Sequence, residues 1–294
     1  MNISMGLPTF LPHDRNEELS WYRKIDEGPW DGLAISDLVT HPHSWALSVQ
    51  LAAAAAMTER VRLWTAITAL PLRNEVLFAK ELATIDILSG GRLTLGVGIG
   101  SQDEDYLAVG SDLAQRRQRM DEQISIMRRI WAQEPPAGGH YPVGPTPLQP
   151  GGVPLVAGVM GPKSIARAAR WAMGVMDGNN SFSFDAEGLY AQRELVTQIW
   201  KDAGRKEKPQ FSTCLFFALG ANAREQLAQC IFSMSQSYGE EGARMAAESS
   251  TNHGATFLRE VVDSARSMGL NDIMLMPTTS DPDEIDRARD ALGI

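Results

Sequence analysis

Alternating glycines follow an apolar run in the segment LSGGRLTLGVGIGSQDEDY, residues 88–106. Such a pattern could bind a nucleotide, because the dinucleotide fingerprint GxGxxG lies between a strand and a helix. Here the first two glycines are Gly96 and Gly98, but Ser101 occupies the position of the third fingerprint glycine. The acidic run Gln102–Asp105 follows, where we expect no helix start, and no GK[ST] phosphate loop occurs. Spacing and context therefore argue against a dinucleotide-binding loop.

The same glycines leave one face of a strand without side chains. A neighbouring backbone or a flat ring can then approach that face closely. Two interpretations remain open for Gly96, Gly98 and Gly100. They thin a strand so that it packs inside a barrel, or they end a strand beside a planar cofactor.

Two histidines and two cysteines are the other side chains that could do chemistry. His41 and His43 occur in THPHSW, but no matched carboxylate at a strand end accompanies them, so we expect no metal site. Cys214 and Cys230 lie in apolar surroundings without CxxC spacing, and we expect two reduced, buried thiols.

Short apolar strands alternate with longer amphipathic helices along the whole chain. This alternation predicts a parallel sheet covered by helices, and eight such units predict a (β/α)₈ TIM barrel formed as one domain over residues 1–294. A doubly wound sheet is the alternative. Among the helices, the alanine-rich segment Ser44–Met57 is expected to begin with Ser44 as its N-cap. The predicted strands are Asn2–Gly6, Gly32–Ser36, Val61–Ile67, Arg92–Val97, Val153–Gly158, Met173–Asp177, Phe211–Leu219 and Asp272–Met276.

Three longer segments are expected as loops or excursions on the C-terminal rim of the barrel, at residues 99–112, 133–152 and 220–255. The net charge of −9 argues against nucleic acid or an anionic membrane as partner. The N-terminal sequence shows no basic region followed by an apolar stretch, so we expect no signal peptide and a cytoplasmic protein. No apolar run is long enough to span a bilayer.

The run RVRLWTAITALPLRNEVLFAKELATIDILSGGRLTLGVGIG, residues 60–100, resembles the luciferase-like monooxygenase family. Residues 28–37, 116–131 and 153–178 resemble further segments of that family. The resemblance implies a (β/α)₈ barrel that binds reduced FMN or the deazaflavin coenzyme F420 at the C-terminal ends of its strands. It also implies an oxidoreductase. The FMN branch inserts oxygen from O₂ into a substrate, and the deazaflavin branch transfers hydride.

The resemblance implies that Asp37, at the end of the second strand, contacts the cofactor side of the pocket. The deazaflavin branch often has a histidine directly after this aspartate, whereas this chain has Leu38. His41 and His43 follow closely and could enter the pocket as catalytic side chains. The alternative for both is that they are ordinary loop histidines.

The third strand is expected to end in a bulge at Ala66, Ile67 and Thr68, often with a cis peptide in the family, whose backbone lies behind the flavin ring. Ala69 follows in a region that could meet the ring. Glu104, after the fourth strand, matches a position that faces the pyrimidine edge of the flavin. Its alternative is a place in a solvated acidic turn.

The cofactor phosphate is expected at the turn after the fifth strand, where a helix N-terminus offers free N–H groups. The residues implied there are Gly158, Met160, Gly161, Lys163 and Ser164. The alternative is an ordinary turn with Pro162 at the first helical position.

The end of the sixth strand is expected to line the substrate pocket with Asp177, Asn179 and Asn180. The leading hypothesis is a monooxygenase that uses reduced FMN and O₂ on a small organic substrate, with flavin supplied by a separate reductase. Hydride transfer with coenzyme F420 is the alternative, and a non-catalytic flavin-binding protein is a further one. The resemblance also implies a homodimer formed through residues 44–57 and 74–89.

Overall fold

The computed structural model describes residues 1–294 and consists of a closed parallel barrel surrounded by helices. Hydrogen-bonded neighbours run in the order β3-β2-β1-β9-β8-β7-β6-β5, and β5 pairs with β3 to close the ring. These eight strands confirm the predicted (β/α)₈ barrel. The strands are β1 (Asn2–Gly6), β2 (Gly32–Ile35), β3 (Arg62–Thr65), β4 (Thr68–Ala69), β5 (Leu93–Gly98), β6 (Leu155–Val159), β7 (Gly174–Asp177), β8 (Gln210–Phe217) and β9 (Asp272–Pro277).

The third predicted strand is divided, because β3 ends at Thr65 and the two-residue β4 resumes pairing with β5 at Thr68. Ala66 and Ile67 form the bulge between them, and the peptide bond that joins them is cis. Residue patterning predicted one continuous strand here, whereas the bulge with its cis peptide was the expectation that the family resemblance implied, and the structure contains it.

Helices follow the strands around the outside. They are α1 (Arg15–Glu27), α2 (Leu47–Met57), α3 (Glu75–Leu88), α4 (Asp103–Val109), α5 (Arg116–Trp131), α6 (Pro162–Ala168), α7 (Ala186–Asp202), α8 (Ala223–Met234), α9 (Gly239–Ser249), α10 (Ala255–Ser267) and α11 (Asp283–Leu292). None of these helices combines the length and the hydropathy that a membrane span requires.

Two local expectations were wrong. Helix α4 begins at Asp103, where no helix start was expected, and the three acidic residues of its first turn complement the positive end of the helix dipole. Helix α2 begins at Leu47, after an Ala46 N-cap that has no side-chain cap. Ser44 is not the N-cap, because its hydroxyl is buried in the preceding loop.

Arg92 joins two helices to the barrel through the LSGGR segment. Its guanidinium donates to the Thr58 carbonyl after α2 at 2.6 Å, and its Nε donates to the Ser89 carbonyl after α3 at 2.6 Å. Gly90 and Gly91 turn the chain between Ser89 and Arg92. Their φ angles are +67° and +82°, which glycine adopts without steric cost. One side chain thus binds the carbonyls left free at two helix ends.

Asp86 orders the Pro- and Gly-rich segment between α5 and β6. Its carboxylate is fully buried and accepts the N–H groups of Leu148 at 2.8 Å and Gln149 at 3.1 Å. The amide of Gln149 adds a third bond at 2.7 Å. This segment contains no helix or strand, as expected, but it is fixed to α3.

The excursion between β8 and α10 covers the C-terminal end of the barrel. Inside the barrel, the buried side chains form an apolar cluster that includes Trp64 and Met274, and α8 adds Leu227 and Ile231 to the same cluster. The excursion leaves and rejoins the barrel at one point, because Gly254 N–H donates to the Ala218 carbonyl at 2.9 Å. Helices α8 and α9 therefore cover the barrel interior.

We expect Arg92→Ala to lower the free energy of unfolding by about 2–4 kcal/mol, because several buried carbonyls lose a charged donor together. Arg224→Ala is the matched control, since this arginine is exposed and makes no hydrogen bond or ion pair within the protein, and it should change stability by less than about 0.5 kcal/mol. Urea denaturation of both variants measures the difference. Equal losses would contradict the role of Arg92 as a joint between helices.

Candidate active site

The site lies at the C-terminal end of the barrel, where the loops after the strands meet. Partly exposed residues on the inner side form its entrance, which we define as Leu38, Ala66, Ile67, Phe182, Cys214 and Met234. Burial raises the pKa of the Cys214 thiol to about 11, so the thiol is uncharged at neutral pH. The entrance therefore carries no charged side chain.

Ile67 fills the space that the alternating glycines leave open. A Cβ at Gly98 would overlap Cδ1 of Ile67, and a Cβ at Gly158 would lie 2.8 Å from the same atom. A Cβ at Gly96 would lie 3.3 Å from Cγ2 of Ile67 and would overlap the Thr65 carbonyl oxygen. The glycines of β5 and β6 thus accommodate the side chain of the bulge, which supports the packing interpretation of the glycine run.

Asp37 holds the bulge from the neighbouring strand end. Its Oδ2 accepts the Ala69 N–H at 3.0 Å, and its Oδ1 accepts Nη2 of Arg73 at 2.8 Å. Arg73 also donates to the Ala69 carbonyl at 2.9 Å. Both carboxylate oxygens of Asp37 are therefore occupied, and its contacts are those of a residue that positions Ala69. The catalytic role of Asp37 stays a prediction.

His41 reaches the inner side of the entrance from the β2–α2 loop. Its ring packs edge-on against Phe10 at 5.3 Å between centroids, and Phe10 in turn contacts Phe216 inside the barrel. Nε2 of His41 is buried and has no hydrogen-bond partner. Burial, and then the charge of His43, lower the pKa of His41, so its ring is neutral near pH 7. A buried nitrogen without a partner can serve a bound ligand.

The second histidine of the loop behaves differently. His43 is exposed, and its N–H lies 3.3 Å from Nδ1 of His41 as a donor. The two rings lie 5.8 Å apart. His43 therefore contacts its neighbour and the solvent, and its catalytic role stays a prediction with less geometric support than that of His41.

The helix after β5 divides its acidic residues between solvent and the site. Glu104 is exposed and makes no hydrogen bond to the protein. Asp105 is buried instead, and its Oδ1 accepts the N–H of Thr40 at 2.8 Å and the hydroxyl of Thr40 at 2.6 Å. Asp105 thereby fixes the loop that carries His41.

The turn after β6 faces open space. A Cβ at Gly161 would meet no atom within 4 Å, and the ammonium of Lys163 is exposed without a carboxylate partner. The Ser164 hydroxyl accepts the N–H groups of Met160 and Gly161, each at 3.2 Å. The same hydroxyl donates to the Gly161 carbonyl at 2.7 Å, so the Lys163 ammonium is the uncommitted side-chain donor that this turn can offer to a phosphate.

The loop after β7 is organised by Asp177, which is fully buried. Its oxygens accept from the amide side chains of Asn180 at 2.7 Å and Asn179 at 3.1 Å, and from both backbone N–H groups at 3.2 Å. Asn179 also donates to the Met160 carbonyl at 3.2 Å, which links this loop to the turn after β6. These contacts hold the loop, and the pocket-lining roles of the three residues stay predictions.

Sequence reasoning did not find Arg73, Asp105 or the contact of Ile67 with the glycines. No local pattern marks Arg73, because its partner lies 36 positions earlier in the chain. Asp105 stands next to Glu104, and only the orientation of α4 distinguishes the buried carboxylate from the exposed one. No group of three or more His, Cys, Asp or Glu side chains comes together as a metal site.

The model of the luciferase-like monooxygenase family matches residues 9–285, and the chain belongs to this family. Its members are oxidoreductases, some of them monooxygenases and others dependent on coenzyme F420. The chain is 31% identical over 144 residues to the 4-hydroxyprotoasukamycin monooxygenase of Streptomyces nodosus subsp. asukaensis, which covers 46% of this chain and 39% of that enzyme. The chain spans about half the length of the curated relatives it matches.

Two solved structures share the fold. A monooxygenase from Streptomyces bottropensis superposes with a TM-score of 0.80 at 22% identity, over 99% of this chain and 97% of that chain. An F420-dependent secondary alcohol dehydrogenase, in complex with an F420-acetone adduct, superposes with a TM-score of 0.77 at 18% identity, over 99% of each chain. At these sequence identities the similarity shows a shared fold alone.

We expect Gly98→Ala to lower the free energy of unfolding by about 1–3 kcal/mol, because the new methyl group overlaps Ile67. In an Ile67→Ala background the same change should cost less than about 1 kcal/mol, since the overlapping atoms are gone. Gly161→Ala is the control with an extended backbone and open space, and it should leave stability unchanged. A Gly98→Ala cost that is independent of Ile67 would show that the glycine serves another purpose.

Proposed function

We propose that the protein is a flavin-dependent monooxygenase that uses reduced FMN and O₂ to oxidise a small, uncharged, apolar organic substrate. Membership of the luciferase-like family supports an oxidoreductase, and the relative from Streptomyces nodosus supports the monooxygenase branch. Leu38, where the deazaflavin branch often has histidine, favours FMN over coenzyme F420.

The observation that carries this proposal is the chemistry of the entrance. Its lining is apolar, and the nearby carboxylates of Asp37, Asp105 and Asp177 already accept donors from the protein. The buried Nε2 of His41 lacks a partner, as do Oγ1 of Thr68 beside the bulge and Nε1 of Trp64 inside the barrel. Such a site cannot bind a charged substrate tightly, but it can exclude water around an apolar one.

The residues after three strands fit an FMN molecule by their chemistry. Lys163 would pair with the phosphate beside Gly161, and Ser164 would hold the turn near Gly158 and Met160 in shape through its bonds to Met160 and Gly161. The bulge from Ala66 to Ala69, including Ile67 and Thr68, would lie behind the ring. Glu104 has a free carboxylate and would accept from an N–H group on the pyrimidine edge.

Bound reduced flavin would supply the electrons that activate O₂, and this chain supplies position and environment. Asp37 and Arg73 hold the bulge in place through Ala69. Phe10 and Phe216 pack around the inner side of the entrance and keep water away. His41, neutral near pH 7, would form a hydrogen bond between its Nε2 and an oxygen atom of the substrate.

Hydride transfer with coenzyme F420 is the alternative, and it draws support from the F420-dependent dehydrogenase of the same fold. A protein that binds flavin without catalysis is the further alternative. The uncommitted Nε2 of His41 favours an enzyme over that alternative, because a carrier does not need a buried polar atom without a partner.

We expect the purified protein to bind reduced FMN under anaerobic conditions, and Lys163→Ala to weaken that binding about tenfold by removing a charge at the phosphate. Lys206→Ala, an exposed lysine on another face, is the matched control and should bind as the unmodified protein does. Absorbance titration with FMN and with coenzyme F420 gives both affinities. Binding of coenzyme F420 alone would contradict the FMN proposal.

Oxygen consumption then separates an enzyme from a carrier. With reduced FMN present, an apolar substrate from a small panel should change the rate of O₂ uptake and yield an oxygenated product. A rate that no member of the panel alters would favour the non-catalytic alternative.

We further propose that a separate reductase supplies the flavin and that the chain forms a homodimer through α2 and α3. These two helices pack beside each other, and both expose apolar side chains, although α3 also exposes Lys80 and Glu81. Val49 and Met57 of α2, with Leu77 and Leu88 of α3, are exposed. An apolar patch of this kind on a helix pair is typical of a surface that another protein covers.

We expect Val49→Glu to convert the dimer to a 32.1 kDa monomer, because a charge buried at an apolar interface has no partner. Leu107→Glu is the matched control, since Leu107 is an exposed leucine on α4, outside the α2–α3 face. Light scattering coupled to gel filtration measures the mass of each variant. The proposed interface would be wrong if the unmodified protein is already a monomer. It would also be wrong if the Val49→Glu variant remains a dimer.

A further inference from the structure

We propose that His13 is a positioning residue: its protonated ring stacks on Trp45 and thereby fixes the loop that carries His41. Loss of the proton on His13 releases this loop. The consequence for catalysis rests on the proposed function, whereas the protonation and the fixing of the loop do not.

The geometry around His13 favours a proton on each ring nitrogen, because Nδ1 faces a carbonyl oxygen and Nε2 faces a carboxylate oxygen. Nδ1 lies 2.8 Å from the carbonyl oxygen of Leu11, and Nε2 lies 3.0 Å from Oε2 of Glu18. Both neighbours can only accept a proton, and a neutral imidazole has one N–H to donate. The Nε2–Oε2 contact has the distance of an ion pair but lacks the alignment of a hydrogen bond, so the imidazolium suits it through its charge; the side chain is fully buried.

Glu18 accepts two uncharged donors on its other side. Its Oε1 accepts the phenol of Tyr22 at 2.5 Å and the side-chain amide of Gln50 at 2.9 Å. Glu18 is buried, so its negative charge depends on these donors and on the positive ring of His13. Glu18 thereby connects α1 with α2 beneath His13.

Trp45 covers the other face of His13. The two rings are nearly parallel, with 4.8 Å between centroids and an interplanar angle of 15°. A positive imidazolium over an indole face adds a cation–π attraction that the neutral ring lacks. Trp45 follows His41 by four positions in the β2–α2 loop, so this stack holds the loop on which His41 lies.

The β1–α1 and β2–α2 loops meet at two aromatic contacts. His13 meets Trp45, and Phe10 meets His41 at 5.3 Å. The second contact lies at the entrance and involves no charge, whereas the first depends on a proton. The position of His41 is therefore sensitive to a histidine that itself touches no part of the entrance.

The surroundings of His13 hold its proton near neutral pH. The charged groups that face it are Glu18 and Glu17 of α1, and the groups from the other elements, Trp45 and Gln50, are uncharged. Burial alone would lower the pKa of His13, but the bonds to Glu18 and Leu11 and the two carboxylate charges outweigh it and raise the pKa.

A raised pKa fixes the direction of the pH effect. The stabilisation by His13 is fully present below about 6.5, the usual pKa in an unfolded chain, and is lost as pH rises through the raised folded value. As pH rises through the folded pKa of His13, the free energy of unfolding of the unmodified protein should therefore fall more than that of His13→Gln. His140→Gln, which removes an exposed histidine, is the control and should not change the pH dependence.

Two measurements without cofactor test the proposal directly. Nitrogen-15 spectra of the histidine rings, assigned by the signal missing in His13→Gln, should show both nitrogens of His13 protonated at about pH 7, where an unperturbed histidine is mostly neutral. Amide hydrogen exchange at one fixed pH should be at least about tenfold faster over residues 39–46 in His13→Gln than in His140→Gln. Trp45→Leu should accelerate exchange in the same residues.

A neutral His13 at pH 7, or unchanged exchange over residues 39–46 in a folded His13→Gln protein, would overturn the proposal. If His13→Gln does not fold, Trp45→Leu carries the exchange test, because it removes the stack and leaves the buried pair intact. These measurements do not depend on cofactor binding, so the His13 proposal can hold for a protein that binds neither cofactor. It can equally be wrong for a protein that binds FMN, and the two proposals are therefore tested separately.

Discussion

The contact between Ile67 and three glycines is the constraint on which the site depends. The bulge between β3 and β4 turns a branched side chain into the barrel, and Gly96, Gly98 and Gly158 leave room for it on the two following strands. Side chains at those positions would displace the bulge and the loop after it. The position of Ile67 at the entrance therefore depends on small residues on β5 and β6.

Polar groups around the entrance mostly serve to hold loops. Asp37 holds the bulge, Asp105 holds Thr40, and Asp177 organises the loop after β7. Each carboxylate accepts at least two donors, so each is satisfied without a ligand. The apolar lining and the free nitrogen of His41 remain as the part of the site that a ligand can complete. These three carboxylates therefore hold loops, whereas the six side chains that define the entrance are uncharged.

The periodic features of the sequence predicted the barrel well, because alternating strands and helices leave a repeated pattern. All eight strands were expected within a few residues, and glycines after α3 marked its end. The interruption of the third strand at Ala66 and Ile67 was expected only through the family resemblance. Helix α4 was missed because its start carries acidic residues that are equally typical of a solvated turn.

The site was harder to predict, since its contacts join residues that are far apart in the chain. Asp37 was singled out by its place at a strand end, but its partner Arg73 had no local signal. His13 was not singled out at all, because its carboxylate partner lies on the following helix and its stacking partner lies in a different loop. Sequence patterns report periodicity, whereas a buried ion pair leaves no periodic trace.

The excursion between β8 and α10 has both ends at a single place. Gly254 donates to the Ala218 carbonyl, and Ala218 donates to the carbonyl of Asn252 at 3.3 Å, so two backbone hydrogen bonds join the start of the excursion to its end. Because its two ends lie together, the excursion does not pull the strands of the barrel apart, whatever its length. A segment of different length or sequence can therefore join the same two points without altering the strands beneath.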